Sequence, residues 1–154
     1  MISLKKNNRG FTIVELLIVI VVIGILAALV IVTYNGIQQK ARDTERKTDI
    51  KALQGHLEAY WADSAKYPTL TEINDATAGG FRQTNFKGLD SAAFADPKNP
   101  TNQTLTGTDS TTVGQYIYLV TPAGCDNGSG GDCTNYSLKA NLEAGGSFAV
   151  QSNN

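Results

Sequence analysis

Between Phe11 and Tyr67 the chain has no proline, and between Phe11 and Val32 it has almost no charge: Glu15 is the one charged residue of that run. The first absence leaves nothing to break a long helix. Histidine occurs once, at His56, with no nucleophile or metal-ligand cluster beside it. A lone histidine on a helix is usually solvated or packed, so the chain reads as no enzyme and as having no metal or cofactor site. Cysteine occurs twice, at Cys125 and Cys133, and no acid stands among the first ten residues. Taking Lys5, Lys6 and Arg9 from the 13 basic residues leaves 10 against 14 acidic ones, so the formal charge of −1 becomes −4 without this leader. Such a balance lacks the broad basic footprint of a nucleic-acid binder, and direct nucleic-acid binding is not supported.

What is present begins with the apolar run itself. Phe11 to Val32 is 22 residues, about 33 Å as a helix and enough to span a bilayer core. The alternative is a cleaved secretory signal, whose apolar part is usually ~7–15 residues and ends in a small-residue cleavage site. Here the run is longer, and Thr33, Tyr34, Asn35 and Gly36 follow it. The basic residues before the run keep the N-terminus in the cytoplasm and send everything after Val32 outside. Cys125 and Cys133 then lie where a disulfide is permitted. Glu15 is the anomaly: an acid at the centre of a membrane helix costs roughly 3 kcal/mol, less toward its end.

Beyond the run, Ile50, Leu53, Leu57, Tyr60, Trp61 and Ser64 recur at three- and four-residue steps, an amphipathic helix that must pack against something. One helix from about 11 to 64 is predicted, stopped by Pro68. The stretch QQKARDTERKTDIK reads as a solvated face, with Arg42/Glu45 and Arg46/Asp49 as i,i+3 pairs. Residues 69–114 are rich in Thr, Gly, Asn and Asp; LTEI and LDSAAF suggest short helical turns. Leu70, Ile73, Phe81, Phe86, Leu89 and Phe94 look like pegs onto a core. QYIYLVT, NYSLKANLE and SFAVQ alternate as strands, with Tyr136, Leu138, Ala140 and Leu142 on one face and a tight turn at Glu143–Gly146. The expected fold class is α+β, a three-stranded antiparallel meander under the amphipathic helix. CDNGSGGDC between the first two strands closes a small loop as a disulfide, worth roughly 2.6 kcal/mol in the chain-entropy model. The alternative is a calcium loop of Asp126, Asn127 and Asp132, whose spacing does not fit an EF-hand. NQT, NGS and NYS match the glycosylation pattern, as chance allows in an Asn- and Thr-rich chain.

The stretch KKNNRGFTIVELLIVIVVIGILAALV resembles the type IV prepilin family, including the pseudopilins of type II secretion and competence systems. The match rests on a basic leader ending in Gly10, then Phe11, Thr12, Glu15 and the apolar helix; EAYWADSAKYPTL resembles the helix end and Tyr-Pro corner of many members. The resemblance implies a type IV pilin-like fold with a leader at 1–10, a transmembrane and assembly helix at 11–32, and a globular domain at 33–154. That domain divides into helix 33–65, connecting loop 66–114 and strands 115–151. It further implies that a prepilin peptidase cuts between Gly10 and Phe11 and N-methylates Phe11, and that Glu15 pairs with the new amine of a neighbouring subunit. The implied partners are the chain itself and other pilins in a helical filament, the pilus assembly platform and the cytoplasmic membrane. The implied function is a structural subunit of a type IV pilus or related filament, first in the cytoplasmic membrane and then outside the cell. A pseudopilin or minor pilin of a secretion or DNA-uptake system is the alternative, and a membrane-anchored binding module belongs to another class. Gly24 and Ala28 form a small-residue step for helix packing or are ordinary membrane composition. Many major pilins carry proline near the end of the run, where this chain has Val32.

Overall fold

The computed structural model describes residues 10–154. It contains α1 (Ile13–Ser64), α2 (Leu70–Asn74), α3 (Phe81–Asn85), a 3₁₀ turn (Ser91–Phe94), and strands β1 (Ile117–Thr121), β2 (Asn135–Asn141) and β3 (Ser147–Gln151). The chain divides into two units, Met1–Gln38 and Gln39–Asn154, and α1 contributes residues to both. The expected leader residues Lys5, Lys6 and Arg9 lie outside the described residues.

In the first unit α1 is apolar on every side. Each side chain from Phe11 to Ile37 is exposed in the single chain, and the helix is long and apolar enough to cross a membrane. Such a surface is stable only against lipid or other apolar helices.

In the second unit α1 becomes amphipathic. Ile50, Leu53 and Leu57 are fully buried, at the three- and four-residue steps that place them on one face. They share a core with Tyr116 and Tyr118 of the β1 region and Tyr136, Leu138 and Ala140 of β2. The sheet is an antiparallel meander in the order β1-β2-β3, with Tyr118 opposite Leu138 and Leu138 opposite Val150. A long N-terminal apolar helix and a small three-stranded antiparallel sheet together make the fold α+β and pilin-like. Leu142, expected on the strand face, lies past the end of β2, where its N–H donates to the Gly146 carbonyl in the turn. Gly145 and Gly146 both have positive φ there, a conformation that favours glycine.

The helix ends where Ala65 turns left-handed, with φ of 54°. The Ser64 hydroxyl donates to the carbonyls of Tyr60 and Lys66, and Pro68 cannot continue the helix. Trp61 is half-buried and stacks on Tyr67. The pegs of the connecting segment do reach the core: Ile73, Phe86 and Phe94 are buried, with Leu70, Phe81 and Leu89 packed beside them. α2 starts with a reciprocal cap between Thr69 and Glu72.

The polar stretch of α1 departs from its expected role as a solvated face. Arg46 is fully buried and Asp43 nearly so. Arg46 does not pair with Asp49, nor Arg42 with Glu45. The Arg46 guanidinium donates to both oxygens of Asp96, at 2.8 Å each, and to Asp43 and Glu143 at 2.7 and 2.9 Å. Arg42 makes a two-pronged pair with Glu143, and Lys98 adds a further contact. Asp43 in turn accepts the backbone N–H groups of Glu143 and Ala144. The hydrogen bond from Arg42 leads in holding the Glu143 carboxyl far below its usual range; burial opposes it, and Arg46 and Lys98 assist. Asp43 is pushed up by burial, but the two backbone donors and Arg46 outweigh this and leave it below its ordinary value. The network ties α1 to the 3₁₀ region and to the turn after β2.

Asp49 behaves in the opposite way. Burial raises its carboxyl from 3.8 to about 6, against the hydrogen bond it accepts from the Tyr116 hydroxyl at 2.6 Å. A raised folded-state value means the fold favours the protonated acid. That contribution is full below pH 3.8 and is lost as pH rises through about 6. Asp49→Asn keeps an acceptor for Tyr116 and removes the charge. It is expected to stabilise the protein by about 1 kcal/mol at pH 7.5 after the weaker neutral hydrogen bond is discounted. The advantage should disappear by pH 4 in thermal melts of the two proteins. An advantage that does not change with pH contradicts this assignment.

Candidate functional site

The site begins where the chain enters α1. Thr12 immediately precedes the first helical residue, so Ile13 is the first position of the helix and Glu15 the third. The Glu15 backbone N–H donates to Thr12 Oγ1 at 3.2 Å, and Glu15 Oε2 accepts the Thr12 backbone N–H at 2.8 Å. This reciprocal pair is a capping box, which satisfies donors that a helix start leaves free. The Thr12 hydroxyl also donates to Glu15 Oε2 at 2.7 Å. Glu15 thus lacks a charged partner among the described residues but has two donors, both from Thr12. Sequence reasoning named Thr12 without this role. The signal was available as Thr-x-x-Glu before an apolar run.

Gly10 and Phe11 sit just outside the helix, both exposed. A Cβ built on Gly10 meets nothing within 4 Å among the described residues, and its backbone is not in the left-handed region. The described residues therefore give no steric reason for glycine here. Gly24 is equally open, so close packing at the Gly24–Ala28 step could come only from another helix.

Cys125 and Cys133 form a disulfide with Cα atoms 5.2 Å apart. The loop between them is fixed by Asn127, which takes φ of 58°. Its amide donates to the Tyr67 carbonyl and to Glu72, and its side-chain oxygen accepts the Cys133 N–H. Asp126 accepts the Gly128 and Gly130 N–H groups, and Asp132 meets Lys66 at 3.5 Å. The three candidate calcium ligands turn to different partners and do not converge. His56 is half-buried, its ring 5.5 Å from that of Phe86. Among the described residues no group of three or more His, Cys, Asp or Glu could hold a metal.

The family described as the prokaryotic N-terminal methylation motif matches residues 5–31. The type II secretion system core protein G of Dickeya chrysanthemi is 39% identical over 66 residues, which cover 43% of this chain and 43% of that protein. Its counterpart from Aeromonas hydrophila is 40% identical over 72 residues, 47% of this chain and 50% of the relative. The type IV major pilin protein PilA of Myxococcus xanthus is 40% identical over 79 residues, 51% of this chain and 36% of the relative. The matches span half or less of the length of these relatives. No solved structure matches the chain significantly. The chain therefore carries a prepilin-type methylation motif and is similar to pilin and pseudopilin subunits rather than to enzymes.

Proposed function

We propose that the chain is a prepilin-type subunit of a type IV pilus or related filament, anchored in the cytoplasmic membrane by residues 11–32 and assembled through them. A prepilin peptidase cuts between Gly10 and Phe11 and N-methylates the new terminus. Glu15 then meets the amine of a neighbouring subunit, and the domain at 33–154 lies outside the membrane. The observation that carries this reading is an exposed glycine, with no steric neighbour among the described residues, two residues before the Thr12 cap of a helix whose capping box uses Glu15, the one acid of the apolar run. The apolar surface of the first unit supports the rest, since only lipid or sister helices can cover it.

A pseudopilin of a secretion system is the second reading, favoured by the matches to core protein G from several bacteria. The two readings share the processing step and differ in the product: abundant sheared filaments for a pilus subunit, secretion without them for a pseudopilin.

The test of the shared step is co-expression with a prepilin peptidase, followed by intact-mass and N-terminal analysis. The mature chain should begin at Phe11 and carry one added methyl group. Gly10→Val should remain full length in the membrane, because the apolar run and basic leader are untouched. A Gly10→Val chain cut as efficiently as the parent rules out the proposed processing.

A further inference from the structure

Asparagine stands directly before glycine twice, at Asn35-Gly36 and Asn127-Gly128. Such a step is chemically labile, because glycine carries no side chain to hinder its own nitrogen. That nitrogen attacks the asparagine Cγ, the Cγ–Nδ2 bond breaks, and ammonia leaves behind a cyclic succinimide. Water reopens the ring to aspartate or isoaspartate, and nothing is oxidised or reduced. Asn35-Gly36 lies inside α1, where helical hydrogen bonds hold the backbone away from ring closure. Asn127-Gly128 lies in the loop that the Cys125–Cys133 disulfide closes.

That loop uses Asn127 as its anchor. Asn127 Nδ2 donates to the Tyr67 carbonyl at 2.9 Å and to Glu72 Oε2 at 3.0 Å, which ties the loop to the corner after α1 and to the cap of α2. Aspartate at 127 would lose both donors and set a second carboxylate against Glu72. Gly128 has no comparable part: its backbone is not left-handed, and a Cβ there would meet only Asp126, at 3.5 Å or more. The chain thus carries a labile step at an anchor that the reaction would break. The closed loop also opposes the reaction. The Gly128 N–H donates to Asp126 Oδ1 at 2.8 Å, and a carboxylate so close disfavours the deprotonated nitrogen that must attack. Hydrogen bonds from the Gly128 and Gly130 N–H groups hold the Asp126 carboxyl below its ordinary value, so it stays charged. The Asn127 N–H donates to the Gly131 carbonyl at 3.1 Å and the Gly131 N–H to the Gly128 carbonyl at 3.2 Å, which pins the backbone on both sides of the step. One contact works the other way: the Cys133 N–H on Asn127 Oδ1, at 3.0 Å, polarises the amide.

We propose that Asn127 is a deamidation site guarded by the Cys125–Cys133 disulfide. With the bridge closed the Asn127-Gly128 step is held unreactive. In the dithiol chain the loop opens, Asn127 converts to aspartate or isoaspartate, and the loop is released from Tyr67 and Glu72 irreversibly. The modification marks a chain that folds without its bridge. The site is separate from the N-terminal segment, and its test does not depend on processing or filament formation.

The full chain in a non-ionic detergent is incubated for days in mildly alkaline buffer, as the oxidised parent and as the Cys125→Ser/Cys133→Ser double variant. Peptide mass spectrometry follows the gain in mass from amide to acid at each asparagine. The double variant should convert at Asn127 at least about tenfold faster than the parent, because the rate follows the population of the open loop. Asn35 should stay unchanged in both. Gly128→Ala added to the double variant should return the rate toward that of the parent, since the new methyl group hinders the attacking nitrogen. Hydrogen exchange of the β2 amides is read alongside, to separate opening of the loop from loss of the fold. Faster conversion with β2 still protected supports the guard. Equal rates in parent and double variant, conversion that Gly128→Ala does not slow, or conversion only where β2 has also lost protection would each overturn the proposal.

Discussion

Arg46→Ala is expected to destabilise the second unit by about 3–5 kcal/mol, the range for breaking a buried ion pair by removing one partner. The reason lies in what the substitution leaves behind. Asp96 is 1% exposed, and Asp43 and Glu143 are nearly as enclosed. Asp96 loses both prongs of its pair with Arg46. Glu143 keeps Arg42 and Lys98, Asp43 keeps two backbone donors and Asp96 keeps the Lys98 backbone N–H alone, so Asp96 suffers most. Arg46→Lys retains the charge but not the planar fork, and about half of the loss should persist. The pH dependence gives an independent check. Glu143 is held below its ordinary 4.5 in the folded protein. Its contribution is therefore present above that value and is lost as pH falls toward the depressed folded one. In Arg46→Ala the stranded carboxylates gain from protonation instead, so the gap to the parent should narrow between pH 7 and pH 4. Chemical unfolding of both proteins at the two pH values measures this. A loss below about 1 kcal/mol at pH 7 shows that the network is not a support of the fold.

That network also marks where sequence reading reached its limit. The partners of Arg46 stand 50 and 97 residues away, and neither Asp96 nor Glu143 carries a local sign of being buried. With charges on every side of the stretch, the helical period gives no preference for a face, and i,i+3 neighbours are the only visible partners. Where periodicity was present, the fold was legible. Ile50, Leu53 and Leu57 marked the buried face of α1 because apolar residues at helical steps have no other use in water. Tyr136, Leu138 and Ala140 marked the inner face of β2 by period two. α3 was not expected, since Gly79-Gly80 before it reads as loop; Gly80 instead serves as its N-cap. The N-terminal site was legible in its residues but not in its internal bonds. Glu15 drew notice as a charge in an apolar run, which hid the capping role it shares with Thr12.

That double role shapes the expected behaviour of Glu15→Val. Removing a charge from the membrane should leave insertion as good or better. The loss of the capping box should cost the helix start about 0.5–2 kcal/mol, too little to stop folding of a helix that lipid supports along its length. Gly10 and Phe11 are untouched, so cleavage should proceed and the mature N-terminus should appear. What the variant lacks is a partner for the cationic amine that the proposed cleavage would create. A subunit entering the filament would bury that amine unpaired, at a cost of about 3–5 kcal/mol, enough to reduce filament yield by more than a hundredfold if assembly is near equilibrium. Thr12→Ala separates capping from pairing. It removes the Thr12 hydroxyl, donor to one carboxylate oxygen and acceptor from the Glu15 N–H, but leaves the carboxylate free for the amine, so filaments should persist. Glu15→Gln keeps the size and a hydrogen-bond acceptor without the charge, and should fail as Glu15→Val does. The measurement is a processing blot beside a sheared-filament assay for the three variants, each as the only subunit. Normal cleavage with parental filament yield in Glu15→Gln removes the charge pair from the account, and loss of filaments in Thr12→Ala alone transfers the role of Glu15 to the helix cap.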